Sequence, residues 1–248
     1  MKLYKLTDRD DYTRRGLPEE THWGEGVTVT ARGEGREPCS KGVVHSYRTP
    51  LLAAMTNQAH ANINDPILWE AEGDVLDTDG LKCWGKSLTT LRQIPIPEPT
   101  VEQRVRFAIA CALAVCHDAL FAMWAMAWLD GTGQTSIAAV YAARRGWGER
   151  AKAKDKARMR PEVWVTALEA EAWAWAAEAA ISATARTGSV ELCAAQAAAA
   201  AWAAWAQAVP SEVRSDSPPD FSALAEWAAS AAPAPEDWFA PKKETPHG

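Results

Sequence analysis

Apolar and polar residues alternate over the first hundred positions and then give way to helical spacing, so the chain divides into two halves of different period. Lys2 to Thr7 opens with alternation. Val27-Thr28-Val29-Thr30 has strong strand preference and stops at Gly33, Gly35 and Pro38, and Val43 to Tyr47 forms a further strand. Alternation there puts Val44 and Ser46 on one face, with His45 and Tyr47 on the other. Pro50 suits the first turn of a short helix over Leu51 to Met55. Ile67 to Val75 and Leu81 to Ile94 alternate again, joined by the hairpin-type turn Asp77-Thr78-Asp79-Gly80.

In Ile94-Pro95-Ile96-Pro97-Glu98-Pro99, three prolines at alternate positions can continue neither a helix nor a central strand. The pattern predicts an α+β chain: a small, mostly antiparallel domain over 1–97, a helical domain over 100–231, and a flexible proline-rich tail over 232–248. Thr100-Val101-Glu102-Gln103 has the form of a capping box and opens a helix that runs to Leu129, where Asp130-Gly131 ends it. A second helix covers Thr135 to about Arg145 and is broken by Gly146-Trp147-Gly148. A third begins at Pro161 and ends at Gly188, a fourth is capped by Ser189 and carries Cys193 to Val209, and a fifth covers Phe221 to Ala231.

Ten of the 13 tryptophans follow residue 100, and alanine fills the space between them. Trp124 and Trp128 are four apart, Trp202 and Trp205 three apart, so each pair shares a helix face. Small alanines let helices approach while indole rings fill the gaps, which predicts a tightly packed bundle. Trp173 and Trp175 lie about 200° apart around a helix and cannot both enter one core. One of them meets a second surface. Tryptophan is also enriched at interface hot spots, so Trp173, Trp175, Trp202 and Trp205 are candidate binding residues, with Arg48 beside them in kind.

Charge alters the picture more by its placement than by its sum of −6, which already argues against a general nucleic-acid binder. Residues 1–98 carry 12 bases and 15 acids. Residues 144–160 hold eight bases against two acids and read as a basic connector, while 162–248 hold four bases against 12 acids. Phe107 to Leu129 is long enough to span a bilayer and lacks Lys and Arg, but His117 and Asp118 at its centre favour a buried helix, so no membrane association is expected. Five scattered cysteines, with no C-x-x-C pair and no Cys/His cluster at zinc spacing, predict reduced thiols and no metal. The start lacks the apolar core of a signal peptide, which points to the cytoplasm.

Candidate chemistry is sparse, and no cofactor is expected. Asp8, Asp10 and Asp11 lack the glycine and terminal glutamate of a calcium loop. Glu70 and Glu72 share a strand face, as paired carboxylates for acid/base work would. His45, Tyr47 and Arg48 follow the Cys39-Ser40-Lys41-Gly42 turn, the one place where His, Tyr, Cys and Arg crowd together. Cys39 would need a nearby base and a lowered pKa to act as a nucleophile.

Tyr4-Lys5 with Asp8, Thr13-Arg14-Arg15-Gly16, Trp23-Gly24-Glu25, Cys39-Ser40-x-Gly42-x-x-His45-x-Tyr47-x-x-Pro50-Leu51-Leu52-Ala53, Leu68-Trp69-Glu70-Ala71-Glu72-Gly73 and Lys86-Ser87-Leu88-Thr89-Thr90 together resemble a domain family that recurs in phage and bacterial genomes. The likeness covers roughly residues 1 to 110, and members often carry an alanine- and tryptophan-rich helical extension. The family has no established activity. The resemblance implies a phage or mobile-element accessory protein in a bacterial cytoplasm, binding a host or phage protein or a second copy of itself, in host interaction or counter-defence. Tyr4-Lys5 and His45-x-Tyr47 are also similar to ADP-ribosyltransferase-type folds, which implies an alternative: an enzyme or nucleotide binder with a pocket near His45 and Tyr47.

Overall fold

The structure, a computed structural model, describes residues 1–38, 40–157, 164–185, 190–208, 219–230, 232, 233 and 235. Cys39, Pro161, Gly188, Ser189 and nearly all of the 232–248 tail lie outside the described residues.

The chain is α+β, with an antiparallel sheet region followed by a helical bundle. Strands β1 (Lys2–Thr7), β6 (Ile67–Gly73), β9 (Ser87–Ile94) and β4 (Thr28–Thr30) form one sheet in the order β1-β6-β9-β4, every neighbour antiparallel. A bulge interrupts the β6–β9 register between Glu70 and Ala71. Strands β5 (Val44–Ser46), β8 (Cys83–Gly85) and β7 (Asp77–Thr78) make a second small sheet, and β2 (Tyr12–Thr13) pairs with β3 (Thr21–His22). Alternation buries both faces of the larger sheet. Leu3, Ala71 and Leu88 pack with Trp23, Val44 and Cys83 on one side, and Tyr4, Leu6 and Leu68 pack with Tyr47 and Ala53 on the other.

Helix α1 (Pro50–His60) is longer than the sequence pattern suggested. Thr49 caps it by accepting from the Leu52 N–H, and Pro50 occupies its first turn. Its Ala53 faces the sheet, while Leu52 and Met55, with Leu81 from the loop before β8, enter the core of the helical half. One helix thus joins two hydrophobic layers.

Helix α2 (Val101–Leu113) opens with the expected capping box, Thr100 and Gln103 each accepting from the other's backbone N–H. The predicted single helix from 100 to 129 is in fact two. Asp118 accepts from the Leu120 and Phe121 N–H groups and starts α3 (Ala119–Leu129), because a carboxylate that satisfies first-turn donors makes a good helix beginning even inside an apolar run. Among the described residues no helix is long and apolar enough to cross a membrane.

Helix α4 (Ser136–Ala157) runs through Gly146 and Gly148 without a break, so the basic residues up to Ala157 are helical. Gly146 serves packing instead. A Cβ placed on it would lie 2.9 to 3.1 Å from Ala174 of α5 (Trp164–Ala185), so the glycine sets how closely α4 and α5 approach. Helix α6 (Val190–Ala208) lies against α5, α2 and α1, and α7 (Phe221–Ala229) closes the end over α1 and α2. Ala172, Ala174, Ala176, Ala177, Ala179 and Ala180 of α5 are all fully buried, consistent with a helix enclosed on several sides.

Trp173 and Trp175 differ in burial, as their separation of about 200° favours, but both pack against the same hydrophobic core. Trp173 is buried, 5.5 Å from Phe121 between ring centres, whereas Trp175 is half-buried and meets Trp147 of α4 edge-on at 5.3 Å. Trp202 and Trp205 are half-buried and pack against the same core.

Candidate functional site

The register of β1 builds a cavity in the sheet region. Tyr4 and Tyr47 form an antiparallel bridge, which sets Lys5 beside His45; the Lys5 ammonium donates to the His45 carbonyl at 2.9 Å and lies 4.8 Å from the centre of the Trp23 ring. Around them is a cavity of about 670 Å³, lined by β1, the β2–β3 ribbon, the loop between β4 and β5, and the end of α1. His45 and Tyr47 both line it, with Lys5, Arg14, Arg32, Lys41 and Lys82 as its cations and Glu19 as its carboxylate. The side chain of Glu19 lies 3.4 Å from Arg14 and 3.8 Å from Lys41.

Burial, and after it this crowding of positive charge, shifts the titration of its members. Burial, helped by the Arg14 charge, pulls the Lys5 ammonium down to about 8. Burial holds His45 down at about 3, and the charges of Lys82, Lys5 and Arg14 push the same way. His60, at the end of α1, sits at about 4 because of burial and then Lys82. Tyr47 goes the other way: its buried phenol is held well above its ordinary value. Both imidazoles are therefore neutral at pH 7, and each offers one donor and one acceptor. The His60 Nε2 is buried and makes no hydrogen bond among the described residues.

The other sequence candidates lie elsewhere. Glu70 accepts from Arg92 at 3.0 Å and Lys2 lies 3.1 Å away, and these partners, Lys2 first, hold its carboxyl below the usual range. Glu72 is exposed on the same strand, and neither carboxylate lines the cavity. Arg48 is exposed and also outside it. Lys5, Arg14, Arg32, Lys41, Lys82 and His60 escaped the sequence reading as a group, since they come from separate segments that only the fold assembles.

A second feature lies on the helical half. Helix α3 carries no charged side chain, and only Phe121, Ala125 and Trp128 of it are buried. Leu120, Met123 and Met126, three apart on one face, are 50%, 66% and 42% exposed, and Tyr141 on α4 is 69% exposed. A helix that is apolar all round is normally enclosed, so this face is an anomaly for an isolated chain. No protein family, curated protein or solved structure matches the chain.

Proposed function

We propose that the protein is a binding module whose α3 face pairs with a second copy of the chain, in the bacterial cytoplasm that the family resemblance implies. The observation that carries this reading is the exposed row Leu120, Met123 and Met126 on a helix with no charge of its own. A two-fold contact sets a patch against itself, so a charge near the axis would meet its own like. An uncharged patch escapes that cost, and flexible methionines adapt to their own image. A host or phage protein as partner, in host interaction or counter-defence, is the other occupant the resemblance suggests.

Light scattering after size exclusion tests the reading. The expected mass is twice 26.9 kDa for the wild type, falling to 26.9 kDa when Met123→Glu and Met126→Glu are combined, with an unchanged far-UV circular dichroism spectrum showing that the variant is folded and a lower melting temperature as the dimer is lost. A monomeric wild type overturns self-pairing.

A second reading is favoured by the cavity at His45 and Tyr47: a small-molecule or nucleotide binder, the alternative that the ADP-ribosyltransferase likeness suggests. Its size lies within the range of ligand pockets, about 300 to 1,000 Å³. Glu70 and Glu72 lie outside its lining, where Glu19 is the carboxylate.

A further inference from the structure

The charges around the cavity narrow what it could hold. We propose that it is a site for a phosphate-bearing organic molecule, its phosphate held by Lys5, Arg14, Arg32 and Lys82. This inference rests on the second reading above, that the cavity takes a small ligand.

Five cations face one carboxylate in the lining. Glu19 is shared between Arg14 and Lys41 at the longer end of ion-pair distances, and both cations are largely exposed there, so these contacts give way at little cost. Lys82 has Asp79 at 4.0 Å. Arg32 has no ion pair among the described residues. The cations also act on one another, since Arg14 opposes the charge on Lys5, and Lys82, Lys5 and Arg14 all oppose protonation of His45. Like charges held this close store repulsion that an anion releases.

Phosphate suits the arrangement better than carboxylate for two reasons. A phosphate monoester carries −1.5 to −2 near pH 7, roughly twice a carboxylate, against this surplus of cations. Its three terminal oxygens can also accept from several directions, and here donors come from β1, the β2–β3 ribbon, the β4–β5 loop and the turn before β8. His60 adds a buried ring nitrogen without a partner among the described residues. The volume of about 670 Å³ exceeds what inorganic phosphate needs, so the phosphate arrives on a larger organic group.

Calorimetry and thermal shift at fixed salt in phosphate-free buffer, with ATP, pyrophosphate, citrate and adenosine as probes, test this. The expected result is binding of ATP and pyrophosphate, weakened at least tenfold when Arg14→Gln and Arg32→Gln are combined, two side chains at the cavity's outer wall. Lys82→Met should weaken it similarly, and a melting curve confirms that each variant is folded. Citrate binding as tight as pyrophosphate, or ATP binding indifferent to the arginine changes, overturns the phosphate site. Adenosine bound as well as ATP overturns it while preserving the ligand pocket. Silence from all four probes overturns both.

Discussion

Tyr4 and Tyr47 hydrogen-bond each other's backbones in both directions, Tyr4 donating at 2.9 Å and Tyr47 at 2.8 Å. This single bridge links the larger sheet to the strand that carries His45, and the placement of Lys5 against the His45 carbonyl follows from it. Cavity geometry is therefore a matter of strand register, and changes that loosen β1 should be felt at the cavity before they are felt in the helices.

Protons should destabilise the cavity wall. The His45 imidazole ordinarily titrates near 6.5 but resists protonation down to about 3 in the folded chain, first because of burial. Between those values the unfolded chain binds more protons, so stability falls as pH drops from 6.5 towards 3, by up to about 1.4 kcal/mol per pH unit for each such group. His60, held at about 4, adds to the loss. Urea titrations at pH 7 and pH 4.5 should show His45→Asn losing less stability than the wild type over that interval.

Glu169 on α5 should act with the opposite sign. Burial raises its carboxyl from 4.5 to about 7, so the folded chain holds the extra proton and stability declines as pH rises through that window. Glu169→Gln should match the wild type at pH 4 and exceed it at pH 8 by about 1 kcal/mol, a figure reduced for the solvent that reaches the side chain. Equal stabilities at pH 8 would contradict it.

Two glycines two positions apart on α4 should respond oppositely. Gly146 faces Ala174 at a distance with no room for more atoms, so Gly146→Val should cost roughly 1 to 3 kcal/mol. Gly148 has open space around its α-carbon, and Gly148→Ala should instead stabilise by up to about 1 kcal/mol through helix propensity. Thermal melts of the two variants read the difference directly.

The buried indole of Trp173 offers a further comparison. Trp173→Ala should cost about 3 to 5 kcal/mol by opening a void beside Phe121. Trp173→Phe should cost far less than that, because the indole N–H is buried with no acceptor among the described residues and its removal relieves an unsatisfied donor. Guanidinium unfolding of both variants provides the check.

Local pattern carried these strand starts well: Lys2–Thr7 and Ile67–Gly73 begin where the sequence pattern places them, and burial of their apolar side chains specifies register strongly. It failed where a residue's role depended on a distant neighbour. Gly146 read as a helix breaker, since nothing nearby reveals that Ala174 will lie against it. Asp118 was hidden in a long apolar run with neither glycine nor proline to announce a boundary. In the cavity, His45 and Tyr47 were legible because they stand together, whereas Lys5, Arg14 and Lys82 are scattered in sequence and meet only through strand pairing. Glu70 drew notice beside Glu72, but its cross-strand cations Lys2 and Arg92 were invisible along the chain.

The placement of α1 has a consequence for the order of synthesis. Its outer side chains Leu52 and Met55 are covered by elements that leave the ribosome much later, and α7 begins 161 residues after α1 ends. At roughly 5 to 20 residues per second, that apolar surface stays open for about 8 to 32 s in every nascent chain. For that interval the sheet region carries Leu52 and Met55 without the helices that later cover them.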